Sequence, residues 1–325
     1  MAPTTIDLPA AKQRSWTSEL SYTPTNIVSY NISIGVDGKD LSRCWEEHPN
    51  FHVLPTFASL AVVKMMGLIT RAMPEFLPNF KSYNHVHGEH YLEQFRPFPT
   101  SFPGTTLTST AQIVDIVDRG KGVTVVIGIT TCDKSSGEKI CYNEWTSFIR
   151  QVPGKGATSS ANAGPSASTK LPTRAPDATD SHKTTHTQSA LYRATTTEWN
   201  PMHISPAHAK EGGFSAPILS GTCTIGMGVK HIIDTFAAGN VNRFKSVRLR
   251  LSAPVIIGEE VRTEMWVDDL QSSIKVSPNN SQGSTMVMYR QVIAADELAG
   301  SKSKDRVVIS NAVVELWDQH VRSKI

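Results

Sequence analysis

Glu198, Asn200 and His203 stand within a span of six residues, in the run Leu191-Tyr192-Arg193-Ala194-Thr195-Thr196-Thr197-Glu198-Trp199-Asn200-Pro201-Met202-His203-Ile204-Ser205-Pro206. They supply a carboxylate, an orienting carboxamide and an imidazole, the inventory for moving protons to and from water. Such a set suits addition or removal of a water molecule. Asn200-Pro201 favours a turn. A second run, Gly212-Gly213-Phe214-Ser215-Ala216-Pro217-Ile218-Leu219-Ser220-Gly221, leads into an apolar stretch at Thr222. If a helix starts there, the Gly221 N–H lies at its positive end and can stabilise an oxyanion such as a thioester enolate. Spacing alone leaves a plainer reading open: Glu198 and His203 cap a turn, Asn200 satisfies backbone groups and Gly221 relieves a close approach.

Other reactive side chains are less concentrated. His85, His87 and His90 have no fourth ligand near them in the sequence, so a surface loop without metal is expected. Cys44, Cys132, Cys141 and Cys223 form no Cys-x-x-Cys pair and read as reduced thiols of an intracellular chain. Cys223 is read as buried packing rather than as a nucleophile. Met65, Met66, Met73 and Met227 line a core or a tunnel.

The motif needs ordered elements around it. An apolar stretch at 57–73 predicts a helix, and alternating runs at 106–117, 122–131 and 139–151 predict strands after it. The second half repeats the order, with a helix at 222–237 and strands at 243–252, 260–268, 284–293 and 306–316. Asp118-Arg119-Gly120-Lys121-Gly122 reads as a hairpin turn, hence antiparallel pairing. Val247, Leu249 and Leu251 share one face of their strand, and that face needs a cover. The one apolar helix of each half supplies it, giving an α+β fold of two helix-wrapping antiparallel sheets joined edge to edge. Residues 153–189, rich in Gly, Ser, Thr, Ala and Pro, read as a connector between the halves 1–152 and 190–325.

With 325 residues, 39% of them hydrophobic and 19% charged, the chain can bury its own core and is not a disordered or fibrous sequence. A net charge of +3, from 32 basic and 29 acidic residues interspersed along the chain, argues against a nucleic-acid partner. No membrane span is expected, because the apolar runs are broken by Lys64, Lys230 or proline. The first residues lack the apolar stretch of a signal peptide. Ser323-Lys324-Ile325, after Arg322, differs by one residue from the peroxisomal address Ser-Lys-Leu. A peroxisomal location with an import receptor as partner is therefore expected, and otherwise the cytoplasm.

The motif run resembles that of the MaoC-like hydratase 2 proteins, where Tyr-Arg-Leu-Ser-Gly-Asp-Trp-Asn-Pro-Leu-His-Ile-Asp-Pro precedes Pro-Ile-Leu-His-Gly-Leu-Cys-Thr. Further segments are similar in the same order: Leu54-Pro55-Thr56-Phe57, His87-Gly88-Glu89-His90-Tyr91-Leu92-Glu93, Pro217-Ile218-Leu219 with Cys223-Thr224, Arg243-Phe244-Lys245, Thr263-Glu264-Met265-Trp266 and Val308-Ile309-Ser310-Asn311-Ala312. The resemblance covers residues from about 27 to 316. It implies a double hot-dog fold whose second half is catalytic, while the first half lacks the catalytic motif and shapes a pocket for an acyl chain. It implies (R)-specific 2-enoyl-CoA hydratase activity, in reverse (3R)-hydroxyacyl-CoA dehydratase activity, on an acyl-CoA substrate without metal or redox cofactor. It also implies a homodimer, and the histidine run becomes pocket-side structure.

By motif position, Glu198 stands for the family's aspartate, Asn200 for its asparagine, His203 for its histidine and Gly221 for the glycine that polarises the thioester carbonyl. Two departures are visible: glutamate replaces aspartate, and the span from Arg193 to Trp199 holds one extra residue, with Thr196-Thr197 where Ser-Gly would stand. Arg243, Lys245, Arg248 and Arg250 are candidates for the phosphates of coenzyme A, against the alternative of a solvated strand face. Two other functions stand beside hydration: an acyl-CoA thioesterase, with water aimed at the carbonyl carbon, and a non-catalytic acyl-CoA-binding protein. The altered motif on a chain without dehydrogenase or carrier domains suggests a specialised acyl pathway.

Overall fold

The computed structural model describes residues 3–159, 170–268, 283–295 and 305–318. Its strands are β1 (Ser15–Tyr22), β2 (His85–Gln94), β3 (Thr105–Asp118), β4 (Gly122–Asp133), β5 (Lys139–Arg150), β6 (Ala178–Lys183), β7 (Phe244–Leu251), β8 (Glu260–Val267), β9 (Ser284–Ile293) and β10 (Arg306–Trp317). The helices are α1 (Leu8–Lys12), α2 (Pro24–Ser33), α3 (Leu41–Cys44), α4 (Ser59–Ala72), α5 (His186–Thr196), α6 (Pro206–Glu211) and α7 (Gly221–Phe236).

The described strands form one antiparallel sheet in the order β1-β3-β4-β5-β2-β7-β10-β9-β8-β6. That order is symmetric about the β2–β7 junction, where Leu92 pairs with Val247 and His90 with Leu249. Each half is an edge strand, a central helix, a junction strand and a three-stranded meander. The expected arrangement of two helix-wrapping sheets joined edge to edge is what the chain adopts. The hairpin at Asp118–Gly122 forms as expected, with Gly120 at φ +74°.

The central helices follow from their apolar stretches. A 3-10 turn at Pro55–Ala58, with proline in its first position, leads into α4, which buries Leu60, Val62, Met65, Met66 and Ile69. Contrary to the expectation that no apolar run is long enough, Pro55–Glu75 has the length and hydropathy to cross a membrane. Its Lys64 and Arg71 stay on the exposed side, Lys64 reaching the Glu19 carbonyl, and 67% of the apolar window is buried inside the protein. It is the core helix of the first half. In α7, Cys223, Ile225, Met227, Val229, Ile232 and Ile233 are all buried. One apolar core joins the halves, with Phe57, Leu60 and Leu92 in the same cluster as Cys223, Ile225 and Leu249.

The expected connector is shortened at its C-terminal end. Residues Ala178–Lys183 form β6, paired with β8, and α5 starts at His186, both inside 153–189. β6 is a polar edge strand whose residues alternate between half-buried and exposed, so its composition imitates a loop. Residues at the other end of the connector pack on the first half, where Thr158 donates to Asp115 and Ile6 N–H to the Lys155 carbonyl. Ser323, Lys324 and Ile325 lie outside the described residues.

Candidate active site

The motif run begins where α5 ends. Thr197 adopts the left-handed conformation (φ 54°, ψ 36°), and its N–H and that of Glu198 both return to the Arg193 carbonyl. This is the place of the extra residue in the run. Beyond it the chain is held by its own side chains: Glu198 Oε1 accepts from Asn200 N–H at 3.1 Å, and Asn200 Oδ1 accepts from Met202 N–H at 3.1 Å, capping the 3-10 turn Pro201–His203. The plainer, turn-capping reading thus describes part of what Glu198 and Asn200 do.

His203 is fixed from two sides. Ser189 Oγ donates to its carbonyl at 2.7 Å, and its ring Nδ1 lies 2.8 Å from the Ile218 carbonyl oxygen. A carbonyl only accepts, so Nδ1 carries the proton and the lone pair of the neutral ring is on Nε2. His203 is 7% exposed. Among the described residues no hydrogen bond or ion pair joins Glu198 to His203.

Ile218 is three residues from Gly221. Ile218 pairs with Ile256 and Leu219 N–H donates to Val255, which anchors the strand-like approach to α7. Gly221 is the first residue of that helix, and no acceptor for its N–H is found among the described residues. A Cβ at Gly221 would lie 3.1 Å from Leu251 Cδ1 and 3.8 Å from His87 Nδ1. The helix start therefore faces the end of β7 and the beginning of β2, and His203 is tied through Ile218 to the segment that leads into it.

The histidine run is not a surface loop. β2 carries a bulge between His87 and Glu89 in its pairing with β5, and the extra residue puts His85, His87 and His90 on the same inward face. His87 stacks on Trp145 with ring centres 3.4 Å apart, His90 meets the edge of the same indole, and His85 Nε2 lies 2.6 Å from Ser147 Oγ. Burial holds His85 and His90 down to about 4 and His87 well below its ordinary value, so the wall is neutral. His85 Nε2 and His90 Nε2 have separate partners in Ser147 and Asn143, and among the described residues no group of His, Cys, Asp or Glu is arranged to hold a metal. The resemblance implied pocket-side histidines; the strand and bulge that carry them were missed, and their signal was Gly88, a bulge-prone residue between two histidines of odd spacing.

The four basic candidates are not gathered at the site. Arg243 donates to the Phe236 and Trp317 carbonyls and closes the far end of α7, about 24 Å from Gly221 along a 16-residue helix. Lys245 pairs with Glu315 at 2.7 Å and lies over the Trp317 ring. Arg248 stacks on Tyr91, and Arg248 and Arg250 are exposed on the face of β7 opposite Val247, Leu249 and Leu251. Alternation along the strand turns them away from α7, the solvated face that was the alternative reading. Cys223 is fully buried, and burial pushes its thiol far up, in keeping with packing.

Comparison with known proteins adds a family. Residues 20–151 match the MFE-2 hydratase 2 N-terminal domain, and residues 167–286 match the MaoC like domain. The chain is 33% identical over 269 residues to the probable enoyl-CoA hydratase 2 of Dictyostelium discoideum, covering 82% of this chain and 88% of that protein. It is 36% identical over 250 residues to the peroxisomal multifunctional enzyme type 2 of Mus musculus, covering 76% of this chain and 33% of that one. It spans about a third of the length of several such curated relatives. The crystal structure of a MaoC-like dehydratase from Phytophthora capsici superposes with a TM-score of 0.78 at 25% identity, covering 97% of this chain and 99% of that one. Both halves match in order and a relative is matched over nearly its whole length, so the chain belongs to the hydratase 2 family of MaoC-like double hot-dog proteins.

Proposed function

We infer that the protein is an (R)-specific 2-enoyl-CoA hydratase, a hydro-lyase that adds water reversibly across the 2,3 double bond of a trans-2-enoyl thioester. One observation carries the reading within the site: the His203 Nδ1–H bond to Ile218, which leaves Nε2 as a base on a ring tethered three residues before the open N–H of Gly221. In the forward direction Nε2 takes a proton from water, with the Glu198 carboxylate holding the same water, and the hydroxyl bonds to C3. The electron pair of the double bond moves to the thioester oxygen, where the Gly221 N–H and the positive end of α7 stabilise the enolate. The proton returns at C2, giving the (3R)-hydroxyacyl thioester. Asn200 acts as a positioning residue, holding the turn that carries His203.

The division of labour follows the halves. The second half carries the acid/base groups, and the first half contributes the His87–Trp145 wall and the acyl pocket. The names of the relatives support coenzyme A thioesters as substrates and the peroxisome as the location. A second reading, a protein that binds acyl-CoA without turnover, is favoured by the use of Glu198 as a turn acceptor without contact to His203. Incubating the purified protein with trans-2-enoyl-CoA, and following enoyl absorbance, free thiol and product configuration, separates the readings. Hydratase activity gives (3R)-hydroxyacyl-CoA; thiol release gives a thioesterase; tight binding without turnover gives the binding protein.

A further inference from the structure

Between the halves, one residue beyond Gly221, lies a small pocket. Its polar lining is Thr56 from the 3-10 turn before α4, Ser59 from the start of α4, His90 from β2, Asn143 from β5 and Thr222 from α7. The room inside suits about one water-sized group. An extended alkyl tail does not fit there.

Two lining atoms are buried without a partner: Thr56 Oγ1 and His90 Nδ1, on residues only 4% and 6% exposed. The state of His90 is set by its other nitrogen. Nε2 lies 3.2 Å from Asn143 Oδ1, and Asn143 Nδ2 donates to Cys141 Sγ, which turns Oδ1 toward the ring. Nε2 therefore carries the proton and donates, and Nδ1 presents a lone pair to the pocket. Burial pushes the imidazole down to about 4, so it stays an acceptor at neutral pH.

We infer that this pocket receives a hydroxyl on the acyl group of the substrate, making the protein a hydratase for short, hydroxylated 2-enoyl thioesters. The inference rests on the hydratase reading above. A hydroxyl donates to His90 Nδ1 and accepts from Thr56 Oγ1, satisfying both orphaned atoms with one group. A methyl end would leave both unpaired, at about 1–3 kcal/mol each. A carboxylate would set its oxygens against the Nδ1 lone pair, and a ketone can only accept. The pocket lies close to the reacting carbons, since Thr222 follows Gly221 directly and His87, 3.8 Å from the Gly221 Cβ position, has its ring centre 5.3 Å from that of His90.

The test compares kcat/KM for pairs of trans-2-enoyl-CoA of equal length, one member bearing a distal hydroxyl, with the purified full chain. The expected result is a preference of about ten- to a hundredfold for a hydroxylated member. His90→Leu should collapse that ratio. Thr56→Val, a change of nearly equal size, should reduce it in the same direction even if His90→Leu fails to fold. Equal or faster hydration of the plain member at every length overturns the inference, leaving a resident water as the pocket's occupant, while the hydratase reading survives. Failure to hydrate either member of any pair overturns the hydratase reading and this inference with it.

Discussion

His203 and Thr197 show how much a single side chain carries here. The imidazole is the one acid/base group in the motif whose tautomer the protein fixes, through the Ile218 carbonyl. His203→Ala is expected to lower kcat by about 10²–10⁴ with an unchanged circular dichroism spectrum, and Glu198→Gln to do the same, the range of a lost general acid or base. Retention of full activity in either variant contradicts the roles given to them. Thr197 holds a β-branched residue at φ 54°, a conformation that costs L-residues about 1–2 kcal/mol, partly offset by the chain entropy a glycine would lose. Thr197→Gly should therefore raise the urea midpoint, by a few tenths to about 1 kcal/mol in stability. A lower midpoint would mean that the Thr197 side chain makes a contact worth more than the strain. The motif positions stand out in the sequence by residue type, but the roles proposed for them come from the resemblance, because spacing alone left the turn-capping reading open. The use of Glu198 and Asn200 as turn acceptors was legible only as an alternative, since the same oxygen atoms serve both purposes.

β2 is the element that composition concealed. It reads as a loop because polar residues and a glycine interrupt it, yet the bulge at Gly88 turns three histidines onto one buried face. A pH dependence follows. The unfolded chain takes up protons on these imidazoles below about 6.5, whereas the folded chain keeps His85 and His90 neutral down to about 4. Stability should be level above about pH 6.5 and fall by about 1.4 kcal/mol per unit and group as the pH drops toward 4, then level off for these groups. Urea midpoints measured from pH 7.5 to 4.5 check this, and His90→Gln should flatten the slope. A midpoint that does not move across that window contradicts the buried, neutral wall. By contrast α4, α7 and both meanders were readable to within about two residues, because helical and alternating apolar periods survive in them. The edge strands β1 and β6 were not, since an edge strand exposes one side and needs little apolar signal.

Across the whole molecule, the two halves share a core and an ion pair. Arg43, its side chain 5% exposed, reaches from the first half to Asp234 on α7 at 2.6 Å, where Lys230 also binds the carboxylate. Asp234→Ala leaves a buried guanidinium with Asp40, at 3.5 Å, as its remaining carboxylate among the described residues, beside His52 Nε2 and the Gly239 carbonyl, and should cost about 3 kcal/mol. Since Leu92 and Leu249 belong to one cluster across the β2–β7 junction, unfolding should be a single transition by fluorescence and by circular dichroism. Two separated transitions would contradict a shared core. The most direct measurement of the central claim is the reaction itself: purified protein with trans-2-enoyl-CoA of several lengths, with and without a distal hydroxyl, followed by loss of enoyl absorbance and by the configuration of the product. The account predicts (3R)-hydroxyacyl-CoA from the wild type and its loss in His203→Ala. The (3S) product, thiol release, or equal rates in the variant would contradict it.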